Sequence, residues 1–257
     1  MSKKFSSFVV FAEMRTGSNL LEASLNNFSD LSCLGEVFNP HFLAYPDQET
    51  LFGFDMKQRV DDPHQVLDAI KSPGEKLKGF RFFNDHYPRI FDACIDDPSC
   101  AKIVLTRNPI ESFVSLKIAN ATGQWKLTTA THQKTSDVVF DAEEFEDFLN
   151  NIHNFQQKIQ FRLQRSGQTA FYISYEDVQD VDAVNGAAKF LGSQDKIGNL
   201  PKKLKKQNPS SLEEKVVNFD DMAQSLARMD RFNLSRTPNF EPRRGPVTAA
   251  RCSTRIP

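Results

Sequence analysis

Two segments of this sequence repeat one arrangement: a short, mostly apolar run, a tight polar turn, and then apolar residues at helical spacing. Phe8-Val-Val-Phe-Ala12 leads into Met14-Arg-Thr-Gly-Ser-Asn19, after which Leu20, Leu21, Leu25 and Phe28 recur near a period of 3.6. Ala101-Lys-Ile-Val-Leu-Thr106 leads at once into Arg107-Asn-Pro-Ile-Glu-Ser-Phe-Val-Ser115. In the second case Asn108 caps the helix, Pro109 suits the first helical position, and Glu111 stands where a capping box puts its carboxylate. Continuous apolar runs of this length fit strands buried on both faces of a parallel sheet. Lys78-Gly-Phe-Arg-Phe-Phe83 and Ala170-Phe-Tyr-Ile-Ser174 read as two further strands, and Val178 leads to a helical run from Ala183 to Leu191. Phe140 to Gln164 reads as one long amphipathic helix whose acidic opening suits the positive end of the helix dipole. The fold class is therefore α/β, a parallel sheet flanked by helices, with ligands expected at the carboxyl ends of the strands.

The 257 residues, 39% of them hydrophobic, are enough for one sizeable core, and the whole chain 1–257 is read as a single domain. Lys and Arg number 32 against 33 Asp and Glu, a balance unlike that of a dedicated nucleic-acid binder, so any anion site must be local. No apolar stretch approaches the roughly 20 residues that span a bilayer. The expected setting is cytoplasmic, with no nucleic-acid partner and no stable membrane insertion. Cys33, Cys94, Cys100 and Cys252 are irregularly spaced and suggest neither a zinc module nor a disulfide framework. The Thr-rich stretch within 121–137 reads as a substrate-facing loop, and the Pro- and Arg-rich segment 236–257 as an irregular tail. Phenylalanine, at 23 residues, is the expected main filler of the core.

Small residues and a glycine between a strand and a helix let backbone N–H groups close on an oxyanion, and Arg15, Thr16 and Ser18 add charge and hydroxyl donors. The pattern is a poor nucleoside-triphosphate loop, because Ala12 stands where glycine would be needed and Ser18 where lysine would be. By itself the segment reads equally well as a tight turn with a surface arginine. Arg107 with Ser115 eight positions later is likewise only permissive of an anion site, since an arginine at the start of a capped helix is more often a surface residue.

Taken together, Arg15-Thr-Gly-Ser18 after the first strand and Arg107-Asn-Pro109 with Ser115 resemble the double signature of sulfotransferases that use 3′-phosphoadenosine 5′-phosphosulfate (PAPS). The likeness runs through most of the chain. It continues at Tyr175-Glu-Asp-Val178 and in the strand around Arg81, and the spacing of Gly35-Glu36, Asn84-Asp-His86, Thr122-Gly-Gln-Trp125 and Lys206-Gln-Asn-Pro209 resembles the bacterial carbohydrate branch, of the Nod-factor and trehalose types. Arginine in the loop, rather than the lysine of the eukaryotic cytosolic branch, agrees with that branch. The resemblance implies a sulfotransferase-like fold with a P-loop-type turn, PAPS as co-substrate and no metal. It implies that Arg15, Thr16, Gly17, Ser18 and Asn19 hold the 5′-phosphosulfate, that Arg107 and Ser115 hold the 3′-phosphate, and that Tyr175 lies in the segment contacting adenine. Arg243-Arg-Gly245 only loosely matches the basic loop that completes the nucleotide site elsewhere.

Sulfuryl transfer requires an acceptor hydroxyl to lose a proton while charge on the transferred and leaving oxygens is stabilised. The resemblance assigns the proton to Glu36, and His86 is the rival base. Arg81 stands where relatives carry a lysine near the transferred group, although strand alternation is equally able to turn it outward. The expected acceptor is a hydroxyl-bearing small molecule or glycan, and a homodimer stays open. Two alternatives remain at this stage: a P-loop kinase with an atypical loop, and a non-catalytic module that binds a nucleotide or sugar.

Overall fold

A computed structural model of the protein describes residues 5–125, 135–201 and 210–229. In chain order the elements are β1 (Ser7–Phe11), α1 (Ser18–Leu25), β2 (Leu31–Cys33), β3 (Thr50–Leu51), β4 (Phe54–Asp55), α2 (Met56–Asp61), α3 (Pro63–Lys71), β5 (Leu77–Phe82), α4 (Pro88–Ile95), β6 (Cys100–Thr106), α5 (Pro109–Thr122), α6 (Ala142–Ser166), β7 (Phe171–Ser174), α7 (Val181–Leu191), α8 (Leu212–Lys215) and α9 (Phe219–Met229). The expected loop 121–137 lies partly outside the described residues, and the tail 236–257, with Arg243 and Arg244, lies wholly outside them. So does the basic run 202–206 with Asn208 and Pro209.

Five strands pair in parallel in the order β2-β5-β1-β6-β7, and β3 and β4 form a separate antiparallel pair. β1 is fully buried, and its alternation explains why it reads as an unbroken apolar run. Val9 and Phe11 enter one core with Phe80, Phe82, Phe91 and Phe155, while Phe8 and Val10 enter another with Leu21, Ile103, Leu105 and Ile173. Both faces of the sheet are thus covered by helices, as parallel strands require. Burial of each large side chain contributes about 1.5–3 kcal/mol. A third cluster joins α5 to the start of α6 and to α8 and α9 through Phe113, Phe140, Phe145 and Met222.

The strand and helix expectations agree with these elements to within one or two residues, except that α1 ends at Leu25, three residues before Phe28. Asn108 caps α5, its side chain accepting from the N–H of Ile110 at 3.1 Å, and Asp141 caps α6 by accepting from Glu144 N–H at 2.8 Å. The carboxylate of Glu111 turns to Arg107, accepting from its Nη2 at 2.6 Å. Among the described residues no helix is long and apolar enough to cross a membrane.

The strand order matters for function. From β1 the chain moves to one side of the sheet to form β2 and β5, then crosses to the other side for β6 and β7. That reversal opens a crevice at the carboxyl ends of β1 and β6, which is where open α/β sheets receive ligands.

Candidate active site

The loop after β1 and the turn after β6 meet in this crevice. Arg15 adopts φ +66°, a left-handed conformation uncommon for a side-chain-bearing residue, and Gly17 follows at +90°. Thr16 holds the turn closed, its hydroxyl donating to the Glu13 carbonyl at 2.6 Å. Gly17 is the N-cap of α1 and supplies no side-chain cap, so the first amides of an eight-residue helix are left to other acceptors.

Side chains link the two motifs directly. Arg15 Nε donates to Ser115 Oγ at 3.0 Å, and its Nη1 donates to the Trp125 carbonyl at 2.8 Å. Arg107 Nη1 donates to the Arg15 carbonyl at 2.9 Å, and its guanidinium lies over the Tyr175 ring, 4.1 Å from the centroid. Burial, with Arg107 close by, lowers the Arg15 guanidinium to about 10 from its ordinary 12.5. Two partly buried cations held close together favour a bound anion. Arg107 Nε is buried without a hydrogen-bond partner, a donor with nothing to donate to. Together with the uncapped start of α1, these features fit a phosphorylated ligand.

A second cluster adjoins the loop on the β5 side. Arg81 alternates with Phe80 and Phe82 and so faces α1, at 4% exposure. Its Nη1 donates to Ser18 Oγ at 3.1 Å and lies 3.1 Å from Glu36 Oε1, and its Nε lies 2.6 Å from Glu22 Oε2. Glu36 also accepts from Asn39 Nδ2 at 2.8 Å. Burial raises the Glu36 carboxyl above its ordinary value, against the pull of Arg81 and Asn39. His86 is buried, with Nδ1 accepting from the Phe83 N–H at 3.3 Å and Nε2 lying 3.8 Å from Glu36. Burial, then Arg81 and Arg59, push its imidazole down to about 3. A neutral ring with one nitrogen already occupied offers a contact to Glu36 and little basicity of its own.

Arg15, Ser115, Arg107 and Tyr175 therefore come together in one cluster, and Ser18, Arg81, Glu36 and His86 in a neighbouring one. The loop from Arg15 to Ser18 runs from one to the other. Asn19 sits in the first turn of α1, and its side chain joins no bond named above. Sequence reasoning missed Glu22, Tyr45, Asn39 and Glu13. Glu22 lies four positions after Ser18, hence on the same face of α1, and that spacing is the signal that was available. Burial pushes the Glu13 carboxyl up to about 8, aided by Asp85, and one of its oxygens is buried without a partner.

No family model matches the chain. Nodulation protein H of Rhizobium tropici is 25% identical over 226 residues, covering 86% of this chain and 89% of that protein. A sulfotransferase of known crystal structure from Alicyclobacillus acidocaldarius aligns with 87% of this chain and 94% of its own, with a TM-score of 0.47 and 18% identity. The chain is thus similar to Nodulation protein H over most of both lengths, and its paired motifs stand on a parallel-sheet scaffold.

Proposed function

We propose that the protein transfers a sulfuryl group from PAPS to a hydroxyl of a carbohydrate or glycolipid acceptor. The observation that carries this reading is the cluster joining Arg15, Ser115, Arg107 and Tyr175, because it brings both motifs together at the carboxyl ends of β1 and β6. The donor supplies an activated sulfuryl group on a phosphate leaving oxygen. In the proposed reaction the acceptor oxygen forms a bond to sulfur, the bond from sulfur to the bridging oxygen breaks, and the leaving nucleotide carries away that electron pair.

Arg15, the backbone amides from Gly17 to Asn19 and the Ser18 hydroxyl hold the 5′ end and stabilise charge on the leaving oxygen. Arg107 and Ser115 hold the 3′-phosphate, with Arg107 braced against Tyr175. Glu36 takes the acceptor proton, since its carboxyl is raised by burial yet held ionisable by Arg81. Arg81 orients Glu36 and keeps Ser18 in register with it. His86 supports Glu36 as a neutral neighbour.

The carbohydrate acceptor is supported by the resemblance to the carbohydrate branch and by the similarity to Nodulation protein H. Trp125, 47% exposed beside Arg15, is a surface on which a sugar ring can stack. The test is transfer of label from sulfur-labelled PAPS over a panel of glycans and glycolipids. Labelled product from a glycan acceptor supports the assignment. Tight donor binding without transfer to any acceptor overturns it in favour of a binding module.

A further inference from the structure

The segment from Gly35 to Tyr45 closes on itself and delivers two side chains to opposite ends of one ion pair. Glu36 N–H donates to the Ala44 carbonyl at 2.9 Å, so Glu36 and Tyr45 emerge from neighbouring backbone positions. The ring is then completed through side chains. Tyr45 Oη donates to Glu22 Oε1 at 2.7 Å, Glu22 Oε2 lies 2.6 Å from Arg81 Nε, and Arg81 Nη1 lies 3.1 Å from Glu36 Oε1. Gly35 fits this closure because a side chain there would meet the Ala44 carbonyl and the Tyr45 ring.

One buried cation thus serves two carboxylates. Glu22 and Arg81 are 7% and 4% exposed, and an ion pair shielded from water in this way responds strongly when either charge is removed. The groups facing Glu36 are Arg81 from β5, Glu22 from α1, and Asn39, Asp85 and His86 from the flanking loops, with Arg59 of α2 acting on His86. The buried Cys33 thiol faces Glu22 and Arg81 from β2.

We propose that Glu22 and Tyr45 are positioning residues for the base: through Arg81 they fix where the Glu36 carboxylate stands and how strongly it attracts a proton, and through Ser18 they tie it to the donor loop. The proposal rests on the assignment of Glu36 as base. While Glu22 is charged, Arg81 is shared, and Glu36 receives only part of its field. Replacing Glu22 by glutamine gives the whole guanidinium to Glu36, which then loses its proton more readily and makes a weaker base.

The experiment follows the Glu36 side chain in the full-length protein by carbon NMR of labelled glutamate, with its signal identified by its disappearance in Glu36→Gln. The Glu36 titration midpoint should fall by about one pH unit in Glu22→Gln. The acid limb of kcat/KM should move down with it, and the plateau kcat should drop more than the donor KM changes. Tyr45→Phe, which keeps the ring and every charge, should lower kcat by about three- to tenfold with donor affinity within about twofold, because it loosens one hydrogen bond behind Arg81. An unmoved Glu36 midpoint in folded Glu22→Gln overturns the proposal. If that variant does not fold, an unchanged kcat and midpoint in Tyr45→Phe overturn it instead. The NMR titration needs no turnover, so a wild-type protein that transfers nothing counts against the function while the inference is still decided.

Discussion

Gly17 packs flat against Tyr175: a Cβ built on the glycine would stand 2.6 Å from Cδ2 of the ring. The same residue has φ +90°, and the ring it touches is the one that carries Arg107 on its face. Gly17→Ala therefore meets both backbone strain and a clash, with a cost of about 1–3 kcal/mol. The expected result is a lower melting temperature together with loss of binding of 3′-phosphoadenosine 5′-phosphate, measured by calorimetry. Normal affinity in Gly17→Ala would separate this contact from the nucleotide site.

Arg107→Ala should weaken 3′,5′-phosphorylated adenosine by about ten- to a hundredfold, the equivalent of one or two charge-assisted hydrogen bonds. The nucleotide lacking the 3′-phosphate should lose far less. Titration of both ligands against both proteins checks this, and equal losses would remove the 3′-phosphate from Arg107.

Glu36→Gln should reduce turnover by about a hundredfold or more while donor affinity stays near the wild-type value. A base works only when ionised, and burial raises the Glu36 carboxyl, so wild-type kcat/KM should rise with pH and level off above the ordinary glutamate range. A pH–rate profile flat down to pH 4 would place the proton elsewhere.

Glu13 makes a prediction about stability. Its folded value of about 8 lies above the ordinary 4.5, so the folded state binds the proton more tightly than the unfolded chain does. Stability is fullest below pH 4.5 and falls as pH rises toward 8. Glu13→Gln removes that dependence and should stabilise the protein at pH 8 by on the order of 1–3 kcal/mol. The gain should vanish near pH 4, as thermal melts at the two pH values would reveal.

Much of the scaffold was legible because β1, β5 and β6 are buried on both sides and read as largely apolar runs bounded by turns, while β7, at the sheet edge and partly buried, still shows as a short aromatic and β-branched run. β2 has only three residues and β3 and β4 two each, too short for any period to register. The site divides in the same way. Arg15 and Arg107 follow strands directly, so their place at the carboxyl edge came from local sequence. Glu22, Tyr45 and Glu36 meet through Arg81 only after the sheet and α1 have packed, and Arg81 points inward because Phe80 and Phe82 take the opposite face.

The central position of β1 has a consequence for synthesis. Phe8 pairs with Gly79 on one side and Ala101 on the other, and Gly79 has no room for a side chain because a Cβ there would overlap the Phe8 ring and carbonyl. At ribosomal speeds the first strand waits roughly four to fourteen seconds for the earlier of these partners to be made. Throughout that delay a greasy ribbon near the amino terminus is open to sticking to other nascent chains. Soluble yield should accordingly depend on how quickly translation reaches the third strand of the sheet, and on whether a chaperone shields the first until then.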